Sequence, residues 1–291
     1  MKVLVTGAGG QLAGAMIEAY AGTAQVAAYS HAELDIANSA AVESRVRADK
    51  PDVIVNCAAY NHVDLAEDEP QLALTANAFA VRVLARAAAE LGATLVHFSS
   101  DFVFDGSASR PYTEEDEPNP QSVYAASKLL GEWFARDAPR AYVLRVESLF
   151  GGPAAKSSVD RIIDCIVEGR EARVFIDRTV SPSYVVDVAA ATAALVEDGE
   201  PGLYHCVNSG CCTWLELAQE IASVMGKEKE ARLVPVSMAD MPLRASRPQF
   251  AALDNTKLTR TGVTMPTWRN ALERYLRIRA LTPRAESRHV P

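Results

Sequence analysis

The chain is poor in the features that mark specialised protein classes. Its 291 residues hold five cysteines, three tryptophans and only 7% aromatic residues. The cysteines are Cys57, Cys165, Cys206, Cys211 and Cys212, an odd number with no Cys-x-x-Cys pair. A finger-type zinc site lacks its ligand spacing here, and a disulfide-stapled secreted scaffold lacks its even count. Reduced thiols in a cytoplasmic protein are expected, with no bound metal. Positive charge is not in excess: 29 Lys and Arg stand against 37 Asp and Glu, a net charge of −8. That balance argues against general nucleic-acid binding, though not against a nucleotide in a local pocket. Apolar stretches such as 183–196, interrupted by Asp187, look too short for a bilayer, which takes ~20 residues. Neither a signal peptide nor membrane association is expected. Hydrophobic residues at 49% and charged residues at 23% are ordinary globular usage, so disorder is not expected either. The length suits one large domain or two smaller ones, at ~150 residues each.

What is present is an alternation. Residues 2–6 form a continuous apolar run ending in glycine, as in strands buried on both faces of a parallel sheet. Further strands are predicted at 25–29, 52–56, 94–99 and 141–145. Helices are predicted between them at 11–20, 38–49 with Asn38 as cap, 70–91 and 120–136. This order predicts an α/β fold, a Rossmann-type doubly wound parallel sheet. Right-handed crossovers then place all strand C-termini on one edge, where ligands bind. That edge collects residues 7–10, Ser30, 56–61, 99–101 and 145–150. Beyond residue 150 the pattern loosens. Helices are predicted at 157–168, 185–196, 214–225 and 267–279, and strands at 172–176 and 202–207. Thr213 and Glu216 have capping-box spacing. Residues 231–250 read as loop, and the tail from about 280 as frayed.

Three motifs lie on the ligand edge. Thr6-Gly7-Ala8-Gly9-Gly10-Gln11-Leu12-Ala13 follows a strand and opens a helix. Its glycines permit a tight turn and let backbone amides approach a pyrophosphate. At the end of the second strand stand Ser30 and His31, with neither the acid that favours NAD nor the Arg that favours NADP. Both can donate to a phosphate, so the expectation leans to NADPH, with NADH also usable. Tyr124-Ala125-Ala126-Ser127-Lys128 puts a phenol and an ammonium on one helix face. A nearby cation favours phenolate, so the Tyr124 proton is expected to be transferable to a carbonyl oxygen. Ser99-Ser100-Asp101-Phe102 follows the fourth strand and offers a hydroxyl to the same oxygen.

These stretches resemble the extended short-chain dehydrogenase/reductase superfamily and, within it, the dTDP-4-dehydrorhamnose reductase family. The matches continue through Glu33-Leu34-Asp35-Ile36, Asn56-Cys57-Ala58-Ala59-Tyr60, Val63-Asp64, the run 99–106, Gly202-Leu203-Tyr204-His205 and Arg247-Pro248. The resemblance implies Ser100, Tyr124 and Lys128 as catalytic residues. It implies cofactor contacts from Gly7, Gly10, Gln11, Leu12, Ser30, Asp35, Ile36, Ala59, Tyr60 and Phe98 besides Tyr124 and Lys128. Ser100, Asp101 and Ser148 are the expected substrate contacts. The implied domains are a cofactor domain of residues 1–150, rejoined by 183–208, and a smaller C-terminal substrate domain of 151–182 and 209–279. The implied reaction is NAD(P)H-dependent reduction of a nucleotide-linked 4-keto-6-deoxy sugar, with a homodimer as a candidate assembly. An epimerase or dehydratase of the superfamily and a non-catalytic NADP-binding regulatory subunit are the alternatives. The acid pair of a dehydratase is missing after Ser100, where Asp101-Phe102 stands. Three departures cluster on the sugar side. Ser148 takes the place of an aromatic, with Glu147 beside it. Phe102 takes the place of a tyrosine. The run Asp177-Arg178-Thr179-Val180 lacks the usual Gln and Gly.

Overall fold

The computed structural model describes residues 1–152 and 155–281, the Leu281 side chain excepted. The expected frayed tail lies almost wholly outside the described residues. From the N-terminus the chain runs β1 (Lys2–Thr6), α1 (Gln11–Tyr20), β2 (Gln25–Tyr29), α2 (Ser39–Asp49) and β3 (Val53–Asn56). A helical rod follows, made of α3 (Pro70–Leu74), a π-type turn (Thr75–Phe79) and α4 (Ala80–Leu91). Then come β4 (Thr94–Ser100), α5 (Val123–Ala135) and β5 (Ala141–Val146). The C-terminal half adds β6 (Leu149–Phe150), α6 (Ser158–Val167), β7 (Glu171–Phe175), β8 (Thr179–Val180), β9 (Ser183–Tyr184), α7 (Val185–Asp198), β10 (Gly202–His205), β11 (Cys212–Thr213), α8 (Trp214–Val224), β12 (Arg232–Val236), α9 (Thr256–Thr259) and α10 (Trp268–Leu281).

Six strands form one sheet in the order β10-β5-β4-β3-β1-β2, and every pair is parallel. The apolar runs are continuous because successive side chains enter different cores. Val3, Val5, Val55 and Val96 face one cluster, while Leu4, Ile54 and Leu95 face the other. Each fully buried side chain of this size contributes ~1.5–3 kcal/mol. The chain leaves β1 toward β2 on one side and returns to β3 on the other. The crevice at this reversal is therefore formed by the turns after β1 and β3. β10 pairs with β5 as an edge strand, so residues 202–205 rejoin the main sheet.

Local signals explain the boundaries. Ser122 caps α5 by accepting from the Ala125 amide at 3.2 Å, and Pro118 and Pro120 keep the preceding chain extended. Asn38 caps α2 from the Ala41 amide at 3.1 Å, and Thr213 and Glu216 form the expected capping box. The loop reading of 231–250 needs correction, because β12 pairs in parallel with β7 along its whole length. Pro235 hid this strand. In a two-stranded sheet its missing N–H can face away from the ladder, the position where strands tolerate proline. A second correction concerns length. The rod Pro70–Leu91 is long and apolar enough to cross a membrane by length and composition. Half of that stretch is buried in this fold, where α4 packs against α2 and α5.

Candidate active site

β1 delivers Gly7 to the crevice at φ +71. A Cβ there would lie 2.9 Å from the Ala58 amide nitrogen in the turn after β3, so conformation and space both demand glycine. Gly10 donates its amide to the Gly7 carbonyl at 2.8 Å and stands as N-cap of α1. No side chain caps α1 among the described residues, and its first turn holds no acid. An uncapped helix start presents free N–H groups and the positive end of the helix dipole, which fits a pyrophosphate. The side chains of Leu12 and Ile36 are buried in the two core clusters. Gln11 reaches across the cleft, donating from Nε2 to the Leu149 carbonyl at 3.4 Å. The Tyr60 amide, next to Ala59, is held by Asn77 Oδ1 at 2.8 Å, and the Tyr60 hydroxyl donates to Glu69 at 3.0 Å.

The end of β2 differs from the sequence premise. The loop turns back so that the Ser30 amide and hydroxyl both donate to Glu33 Oε2, at 2.9 and 2.6 Å. These bonds, the side-chain one first, hold the Glu33 carboxyl below its ordinary range. His31 Nδ1 lies 3.7 Å from Asp35 Oδ1, which also accepts from the Ala37 amide at 2.9 Å. Ser30 is thus engaged by a carboxylate three residues on, while the exposed His31 makes no hydrogen bond to Asp35.

β4 and α5 bring the remaining groups together. Lys128 is buried and donates from Nζ to the Phe98 carbonyl at 2.6 Å. Burial pushes its ammonium down to about 8, against the pull of Glu132. Tyr124 is buried on the same face. Burial first, and then the Asp101 charge, push its phenol above its ordinary value, while a hydrogen bond with the Ser100 side chain acts the other way. The expectation that Lys128 lowers this phenol is therefore corrected: with the ammonium held on the Phe98 carbonyl, desolvation dominates. Ser100 gives its one proton to Asp101 Oδ1 at 2.8 Å and accepts from the Phe102 amide at 3.2 Å.

The support beneath was not foreseen. Glu132 takes two bonds from the Arg145 guanidinium, both 2.8 Å, and one from the Ser99 hydroxyl at 2.5 Å. The pair is 1–2% exposed and ties α5 to β4 and β5. Asn77, in the π-type turn, donates to Tyr60 O and Ser127 Oγ at 3.0 Å each, and Ser127 donates to the Tyr124 carbonyl at 2.7 Å. A Cβ at Gly131 would run into the Asn77 carbonyl, so this glycine lets α5 approach the turn. Such turns recur at functional sites, but nothing in the apolar spacing marks one.

On the far side of the cleft is a cavity of about 290 Å³ walled by Asp101, Phe102, Ser148, Lys156, Arg178 and Trp214, among others. All three sequence departures converge on it. Ser148 sits at φ +43, unusual for a residue other than glycine. Arg178 lies over the Phe102 ring at 5.1 Å, and that ring meets the Tyr124 ring edge-on at 5.4 Å. Asp64 clasps the C-terminal segment, accepting from the Arg244 and Ala245 amides and from both Arg247 terminal nitrogens at 2.7–2.8 Å.

A doubly wound parallel sheet with an uncapped glycine turn at its switch point is the architecture of a nucleotide-binding α/β protein. Within that class the chain belongs to the family described as the RmlD substrate binding domain, whose model matches residues 1–280. It is 37% identical over 280 residues to dTDP-4-dehydrorhamnose reductase of Mycobacterium tuberculosis, covering 93% of this chain and 91% of that one. A probable dTDP-4,6-dihydroxy-2-methyloxan-3-one 4-ketoreductase of Streptomyces antibioticus is 34% identical, covering 94% and 93%. The solved structure of dTDP-4-dehydrorhamnose reductase from Bacillus anthracis, in complex with NADP, superposes with a TM-score of 0.91 at 33% identity, covering 95% and 99%.

Proposed function

We propose that the protein is an NAD(P)H-dependent oxidoreductase. It would reduce a nucleotide-linked 4-keto-6-deoxy sugar in deoxysugar biosynthesis, in the manner of its dTDP-4-dehydrorhamnose reductase relatives. One observation carries the reading. The uncapped start of α1 and the Ser100–Tyr124–Lys128 group lie along one strand edge, with a polar cavity opposite. The turn amides from Gly7 to Leu12 would hold a pyrophosphate, Ala59 and Tyr60 would border the nucleotide, and Lys128 would hold the nicotinamide ribose. The nicotinamide supplies the hydride when bound. Tyr124 gives its phenolic proton to the keto oxygen, and Ser100 fixes that oxygen in place. Hydride and proton together turn C=O into CH–OH. The raised phenol keeps the proton on Tyr124 until the oxygen becomes basic, which suits a general acid. NADPH is the cofactor of choice by likeness to the NADP-bound relative. Five unpaired thiols support a cytoplasmic setting.

The test is oxidation of NADPH and of NADH with dTDP-4-dehydrorhamnose and a panel of dTDP- and UDP-linked 4-keto sugars. Turnover of a dTDP-linked 4-keto sugar is expected. Nicotinamide binding with no turnover of any panel member would sink the enzyme reading in favour of a binding subunit. Cofactor that stays tightly bound through purification and cycles without net oxidation would indicate an epimerase.

A further inference from the structure

Asp64 lies in the loop of residues 61–69 that leads from the turn after β3 to α3, and this loop supports the catalytic helix. Val63 and Ala66 pack in one apolar cluster with Tyr60, Phe102, Val123 and Tyr124. Glu67 Oε1 accepts from the Val123 amide at 2.8 Å, so the loop also holds the first turn of α5, one residue before Tyr124. Asp64 ties this support to the segment 244–250. Its Oδ1 accepts from the Arg244 and Ala245 amides at 3.1 and 3.0 Å, and its two oxygens take the Arg247 fork at 2.8 and 2.7 Å. Arg244 pairs with Asp68 of the same loop. Beyond Arg247 the segment runs onto the sugar-side wall. The Gln249 carbonyl accepts from the Thr179 amide at 2.8 Å, next to Arg178, and the Phe250 amide donates to the Gly106 carbonyl at 3.3 Å.

These contacts close a ring. It runs from Tyr124 through Val63 and Ala66 to Asp64, across to Arg247 and Gln249, then through Thr179 and Arg178 to Phe102, whose ring meets Tyr124 again. The Asp64–Arg247 fork is its charged link, and a bidentate pair fixes distance and direction as well as adding attraction. The Arg247 hydrogen bond, first among the causes, holds the Asp64 carboxyl well below the usual carboxylate range, so the link stays charged at neutral pH. Reduction needs a keto oxygen held by the sugar-side wall to meet the proton on Tyr124, and a misplacement of about 1 Å can cost ~10²-fold in rate. We infer that Asp64 is a positioning residue for the reduction. By clasping Arg247 it sets the sugar-side wall, through the segment 244–250, against the helix turn that carries Tyr124. A clasp that served stability alone would lower the melting temperature and leave kcat unchanged.

This inference rests on the reductase reading, and its test separates the two. The variants are Asp64→Asn, Arg247→Lys and the two combined, in the full chain. Asn keeps an oxygen for the two amides but loses the charge and the paired acceptors. Lys keeps the charge but not the fork. With the keto sugar that wild type reduces, kcat of Asp64→Asn is expected to fall about tenfold or more, while NADPH affinity holds and KM for the sugar moves less than about threefold. Arg247→Lys should retain an intermediate kcat. The double variant should be no slower than Asp64→Asn alone, because both substitutions break one link. Without substrate, the Tyr124 ring is followed by NMR in protein labelled at the tyrosine Cζ, its signal assigned with Tyr124→Phe. That signal should shift or broaden in Asp64→Asn. A wild-type kcat, an unmoved Tyr124 signal, or a double variant slowed by the product of the two single effects overturns the inference. If Asp64→Asn does not fold, Arg247→Lys carries the test, and a wild-type kcat or an unmoved Tyr124 signal there is equally fatal. Absence of any keto-sugar reduction by wild type removes the reductase reading, while the Tyr124 signal still decides whether Asp64 positions the ring.

Discussion

On the nucleotide side of the cleft, the groups on offer are mostly backbone: the Gly7–Gly10 turn and the open end of α1. On the sugar side they are side chains: Asp101, Phe102, Ser148, Arg178 and Trp214. The difference matters for how each wall tolerates change. A backbone site depends on conformation, and almost any side chain that permits the turn preserves it. A side-chain site depends on which atoms are present, and the three sequence departures all lie on this side.

Tyr124→Phe is expected to give the largest effect, because it removes the phenol proposed as the proton donor. Turnover should fall ~10²–10⁴-fold, with NADPH affinity and thermal stability kept. Activity within threefold of wild type would take Tyr124 out of the mechanism.

Gly7→Val attacks the nucleotide wall where it depends on conformation. A β-branched residue at φ +71, with its Cβ against the Ala58 backbone, costs ~1–3 kcal/mol in strain. NADPH affinity, measured by calorimetry, should fall about tenfold or more. Unchanged affinity would show that the cofactor does not use this turn.

Ser148→Trp asks whether the sugar wall is an aromatic site merely emptied. If it were, KM for dTDP-4-dehydrorhamnose would fall with kcat kept. The structure argues otherwise. Ser148 has φ +43, which costs a bulky residue ~1–2 kcal/mol, and Trp214 and Phe102 already line the cavity. Tyr60 and Tyr184, two other aromatics that could take the place of the ring, are occupied elsewhere. Tyr60 is tied to Glu69, and Tyr184 stacks on Phe150. KM is expected to rise several-fold, with a lower melting temperature.

The sheet was legible because its strands are continuous apolar runs and its helices carry caps, as at Asn38 and Thr213. The glycine turn and the 124–128 spacing were legible because local conformation and helix geometry force them. What escaped was non-local. No spacing rule pairs Glu132 with Arg145, or Asp101 with Arg178, since their neighbourhood exists only once β4, β5 and the turn before β8 are packed. The Asp64–Arg247 clasp escapes for the same reason, although both of its stretches carry the family resemblance. Burial reversed the expected effect at Tyr124, because desolvation at a closed site outweighs a cation already held by a carbonyl.

The smallest effect expected sharpens the comparison at an exposed point of the nucleotide wall where side chains are on offer. Glu33 is exposed and holds both Ser30 donors, so a 2′-phosphate arriving there must displace a carboxylate, whereas a 2′-hydroxyl can donate to it. Glu33→Gln removes the charge while keeping an acceptor for Ser30. The preference for NADPH over NADH, as a ratio of kcat/KM values, should rise. The charge is solvent-exposed and screened, so the rise is small, about two- to fivefold. A ratio that stays constant would place the 2′ position elsewhere along this edge. A shift toward NADH would mean that the Glu33–Ser30 loop opens on binding and that Ser30 recovers the donor role its sequence position suggested.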